Sequence, residues 1–166
     1  MAASFAWTIS NGAGNTITVL GSSGNLQDFK SSDTAGIADY TSAPIAAGTS
    51  SYELWLRGLF TGTFNQIRDL RFWMSTGFSP STGLAVFWTG IQPIFLQPAN
   101  GTSSIATSSV PIADPGTANV SIGGNLSGSL VASGYSDFIV LQLRTTTAAA
   151  AGDTSLGTFS LSYSES

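Results

Sequence analysis

Glu53 and Asp69 are the acids whose neighbours suggest a site, because each falls in a strand-like run beside aromatic residues. Two carboxylates suffice for glycoside hydrolysis, one donating a proton while the other attacks or activates water. Glu53 shares its run with Arg57, and Asp69 shares its run with Arg71. Cross-strand ion pairing is therefore the simpler account of both acids. The chain has no histidine and no cysteine, so Ser–His–Asp, Cys–His and zinc arrangements cannot be built. A Ser–Lys dyad would need Lys30, the only lysine, and its setting (Phe29-Lys30-Ser31-Ser32) reads as a polar surface loop. Asp28, Asp33 and Asp39 share one loop and could hold Ca²⁺, but the alternating ligands and turn glycine of a calcium loop are missing. They read as turn initiators. Gly12-Ala13-Gly14 and Gly123-Gly124 are not followed by a helix, so they form no phosphate cradle. The Asn-x-Ser/Thr triplets at Asn100, Asn119 and Asn125 are expected by chance in so hydroxyl-rich a chain. The residues thus predict no catalytic group, no cofactor and no metal: this is not the sequence of an enzyme.

The tryptophans carry more information. Trp7, Trp55, Trp73 and Trp88 all fall in strand-like runs. Two of them exposed on one face would make a sugar-stacking platform, whereas core burial is the usual use of large aromatics in a sandwich. Trp55 and Trp73 are the candidates for exposure, because charged residues lie two positions away. Together with Arg57 and Arg71 they form the candidate interface.

These residues sit in elements of period two. Phe5, Trp7 and Ile9 alternate with Ala6 and Thr8, Asn11-Gly12 marks a turn, and residues 16–20 make a second strand. Residues 21–49 predict a long loop with one short strand near 37–40, and residues 1–15 a flexible, arm-like segment that holds the first strand. Strands are expected at 51–60, 67–74, 84–89 and 91–96, the last interrupted by Pro93 as suits an edge or bend. Weaker, small-residue strands are expected at 105–112 and 120–130. Residues 137–144 are apolar on both faces, as in the middle of a sheet. Residues 158–163 alternate most regularly, with Phe159, Leu161 and Tyr163 facing in. Ala148–Ala151 is too short to nucleate a helix. Eight or nine strands, no amphipathic helix and no internal repeat predict one all-β domain. The expected architecture is an antiparallel β-sandwich, jelly-roll-like, over residues 1–166. No Cys–Trp–Cys spacing points to an immunoglobulin domain.

Composition bounds the partners. The 166 residues are 42% hydrophobic, too apolar to remain unfolded, yet only 8% charged. An ordinary domain has about 25% charged residues, so Ser, Thr, Gly and Asn must cover this surface. Such a surface carries little of the repulsion that keeps monomers apart. Net charge is −4, and the five cations are Lys30, Arg57, Arg68, Arg71 and Arg144. That set forms no basic cluster, so neither nucleic acid nor an anionic membrane surface is an expected partner. No apolar run reaches the roughly 18 residues of a spanning helix, and residues 1–5 lack the cationic start of a secretory signal.

Two segments carry a resemblance. Asn65-Gln66-Ile67-Arg68-Asp69-Leu70-Arg71-Phe72-Trp73 resembles a strand of a set of small bacteriophage virion structural proteins. Residues 134–143, the Thr/Ala-rich loop with Gly152, and residues 158–163 resemble their C-terminal part. The resemblance covers the second half of the chain well and the first half by pattern. It implies a virion protein assembled in the host cytoplasm, either a capsid decoration (cement) protein or another small head or tail component. Its implied partners are the major capsid protein or other virion subunits, with a homo-oligomer, a trimer, as the expected state. It brings no catalytic residue with it. The alternative expectation is a carbohydrate-binding module or phage adhesin.

Overall fold

A computed structural model describes residues 2–22, 27–36, 42–152 and 154–166. Among these residues there are nine strands: β1 (Ser4–Asn11), β2 (Thr16–Gly21), β3 (Leu54–Thr61), β4 (Ile67–Thr76), β5 (Leu84–Gln92), β6 (Ser108–Ser109), β7 (Gly134–Tyr135), β8 (Phe138–Thr145) and β9 (Thr158–Glu165). The only helical turn among them is a 3₁₀ turn at Gly101–Ser103. The protein is all-β, and every strand pairing is antiparallel. The main sheet runs β2-β1-β3-β8-β5-β6, with β7 added beside β3, and β4 and β9 form a second sheet against it. The division is uneven, unlike two balanced four-stranded sheets, and loops complete the second layer.

Alternation decides which side chains meet between the sheets. Ile9, Leu54, Trp88, Ile139 and Leu141 of the main sheet face Leu70 and Phe72 of β4, with Phe159, Leu161 and Tyr163 of β9 packed against them. Phe72 stacks on Phe159 at a 5.6 Å centroid distance, and Trp7 meets Phe72 edge to face. The other face of the main sheet is buried too. Trp55, Phe138 and Val140 pack there under Phe95, Ile105 and Ala106, which belong to the long β5–β6 connection. This double burial explains why residues 138–141 are apolar with no alternation and why they and Gln142 are all buried.

Several expectations change. Residues 4–11 are no arm: β1 lies between β2 and β3, fixed by register on both sides, from Ser4↔Thr61 to Ser10↔Trp55 on the β3 side. The Asn11-Gly12 turn is present, with Gly12 at φ 71° and Asn15 donating from its N–H to Gly12 O. The short strand expected near 37–40 lies outside the described residues. β5 runs on to Gln92 and stops where Pro93 has no N–H to give. Of residues 105–112 only Ser108–Ser109 pairs as a strand. Residues 120–130 fold into turns, held by isolated bridges of Ile122 with Asn125 and of Leu130 with Ile67.

Candidate functional site

Glu53 immediately precedes β3 on the doubly buried side of the main sheet and is 4% exposed. Trp55 Nε1 and the Ala99 N–H donate to its Oε2, at 2.9 and 3.0 Å, and the Ile105 N–H donates to Oε1 at 2.8 Å. A buried carboxylate holding three donors anchors the overlying connection, and each bond to a charged acceptor is worth about 1.5–3 kcal/mol. Asp69 lies instead on β4, half exposed, with its backbone at φ 57° and its carboxylate 3.3 Å from Arg68. The two acids therefore face different surroundings, on different sheets, and share no cleft. The expected cross-strand ion pairing of these acids does not form among the described residues: Asp69 pairs with its chain neighbour Arg68, and Arg71 with Asp114. The reason is local: Glu53 is taken by main-chain donors, and the strand register slips between Arg68 and Arg71.

Asp137, not singled out by sequence reasoning, has a similar role. It is buried, and it accepts from Ser121 Oγ at 2.5 Å and from the Gly123 and Gly124 N–H groups at 3.0 and 2.7 Å. The Gly123-Gly124 pair thus cradles a carboxylate of its own chain. Asn119, read from sequence as a chance glycosylation triplet, accepts from the Phe72 N–H and donates to Phe72 O at 2.7 and 2.8 Å.

Lys30 is not the surface lysine its loop suggested. It is 4% exposed, and its ammonium donates to Ala35 O and Gly36 O at 3.1 and 2.7 Å. Burial pushes its pKa below the lysine range, opposed by the negative charge of Asp28. Burial likewise raises the Asp33 carboxyl, while the Gly12 N–H donating to it pulls the other way. Asp33 ties residues 27–36 to the β1–β2 turn, and Lys30 closes the same segment on itself.

The four candidate interface residues do not share a surface. Trp55 and Arg57 lie on the outer face of the main sheet, and Arg71 and Trp73 on the outer face of β4, across the sandwich. Trp55 is 0% exposed, covered edge to face by Phe95 and Phe138, so its indole offers nothing to a partner. Arg57 lies flat over Tyr135 at 3.8 Å and Phe138 at 4.6 Å, and burial lowers its pKa, partly offset by Tyr135 and Asp137. Its Nε is buried and finds no hydrogen-bond partner among the described residues. Arg71 and Trp73 are brought together, side by side and half-buried. Arg71 donates twice to Asp114, at 2.9 and 2.7 Å, and once to Ser162 Oγ. Trp73 stands opposite Ser160. Trp88 is buried and Trp7 packs into the core, so no two indoles make an exposed platform.

The chain matches no family model, no curated protein and no solved structure.

A cleft of about 1010 Å³ opens at one end of the sandwich, where loops stand in for missing strands of the second sheet. Leu54, Phe72, Leu141 and Phe159 wall it, and among the described residues its titratable lining groups are Asp28 and Lys30. Lys30 is held by carbonyls, and among the described residues the walls are largely apolar, with Asp28 as the acid that lines them. The remaining surface feature is β2, whose outer edge has no strand beside it among the described residues.

Proposed function

We propose that the chain is a structural subunit of a bacteriophage particle, a capsid decoration or cement protein or another minor head component. It acts through protein–protein contact with the major capsid protein or other virion subunits, and it has no chemistry of its own. The observation that carries this reading is the fate of the internal charges. Glu53 and Asp137 accept main-chain N–H groups that hold loops onto the main sheet, and the Lys30 ammonium is taken by two carbonyls of its own loop. Glu53 and Asp137 do not line the large cleft, whose described titratable groups are Lys30, held by carbonyls, and Asp28. The exterior of hydroxyls and amides then favours docking against neighbours. The resemblance of residues 65–73 and 134–163 to strands of phage virion proteins supplies the kind of particle. Mass spectrometry of purified particles tests the proposal: the chain is expected at many copies per particle, and its absence from intact particles sinks the idea.

A further inference from the structure

The main sheet ends differently on its two sides. At one end β6 is two residues long, with Pro111 following soon after, and so offers almost no edge. At the other end β2 is six residues long and, among the described residues, is hydrogen-bonded as a strand to β1 alone. Thr16, Ile17, Thr18 and Val19 are exposed in succession, Ile17 at 42% and Val19 at 58%, so both sides of this stretch are open among the described residues, before Leu20 turns into the core. Strand edges that stay single usually carry lysine, proline, a bulge or an inward charge. Thr16–Gly21 carries no charge and no proline. The one irregularity in its pairing, between Trp7 and Thr8 of β1, lies at the Gly21 end and leaves Thr16–Val19 in regular register.

We propose that two copies of this chain pair antiparallel through β2, joining their main sheets into one across a two-fold axis at Thr18. Charge selects a second copy over a charged partner. Each molecule carries −4, yet Ser4–Gly21 has no charged side chain of its own, and Asp33 reaches it at the Gly12 turn rather than along Thr16–Val19, so like-charged copies can meet through β2. A charged partner would find no counterpart there. The sequence is also complementary to itself. With Thr18 facing Thr18, Ile17 of each copy faces Val19 of the other, and Thr16 faces Leu20. β-Branched pairs and Thr–Thr pairs are favourable directly across antiparallel strands. A two-fold pairing closes on itself and leaves no β2 edge for a third copy.

The test is sedimentation of the full-length chain across micromolar concentrations, with circular dichroism as the check on folding. A species of twice 17.0 kDa is expected. V19K places a cation against Ile17 on both sides of the axis and weakens the dimer by roughly tenfold or more. I17E/V19K sets opposite charges across both pairs and restores it. T18C, in a chain without cysteine, crosslinks into a covalent dimer under mild oxidant. A monomer at every concentration, a trimer, a V19K dimer of unchanged affinity, or a T18C chain that stays uncrosslinked overturns the proposal. The pairing stands or falls separately from the virion reading, which the composition of purified particles tests.

Discussion

Glu53 shows how a residue that looks catalytic can be wholly structural. Its three donors come from an indole and from two main-chain positions in the connection that roofs Trp55. Removing the carboxylate leaves those donors buried without a partner, so Glu53→Ala should lower the unfolding free energy by about 3 kcal/mol, measured by urea denaturation. Lys30 gives a pH signature instead. Its pKa is lowered from the ordinary 10.5, so between the two values the unfolded chain binds the proton that the folded chain has released. Stability contributed by this site therefore rises with pH through that window. The stability of the parent minus that of Lys30→Met should rise as pH climbs through the window below 10.5, and a signed difference that is flat or falling there refutes the burial of the amine. Neither role was legible in the sequence. Charged neighbours at Glu53 and Arg57 suggested an exposed Trp55. In fact Glu53 is buried with its donors and Arg57 lies along aromatic rings. Local pattern does not show which distant segment covers a strand.

At the scale of elements, β8 and β9 were readable because burial writes itself into their side chains: apolar on both faces in one, strict alternation in the other. Residues 120–130 were not, because small residues satisfy a strand pattern and a turn pattern equally well. The flank of β4 away from β9 shows what replaces a strand there. Leu70 O accepts from the N–H groups of Asn119 and Val120, and Met74 donates from its N–H to Pro111 O. Between them the Asn119 amide serves both the N–H and the carbonyl of Phe72, as a neighbouring strand would. The junction is tight, since a Cβ on Gly90 would fall against Asn119 O and the Trp88 ring. Asn119→Ala strands both main-chain groups of Phe72 beside the core and should cost about 2 kcal/mol in thermal or urea unfolding. An unchanged midpoint would mean that water takes over these bonds and that the amide is no substitute for a strand.

For the whole molecule, the informative quantity is how little charge remains outside once the internal ionic groups are accounted for. Lys30, Glu53 and Asp137 are buried, Arg57 is half-buried on rings, and Arg71 is paired with Asp114. On the proposed role as a particle subunit, a surface so composed would dock by apolar contact and by hydrogen bonds from hydroxyls, amides and open strand edges. Exposed Ile94, Ile112 and Val131, at 68%, 79% and 72%, are the kind of apolar side chain such contacts cover. Salt discriminates this mode from ionic docking. Contacts made through exposed charges weaken steeply as ionic strength rises, because screening shortens to about 3 Å at 1 M salt. Contacts made through neutral surface do not. If particles are stripped of the chain and purified chain is added back, the amount rebound should change by less than roughly threefold between low salt and 1 M. A steep loss of rebinding with salt would assign the docking to the few exposed charges, Arg68 and Asp69 foremost, and would refute the neutral-surface argument while leaving the chain in the particle.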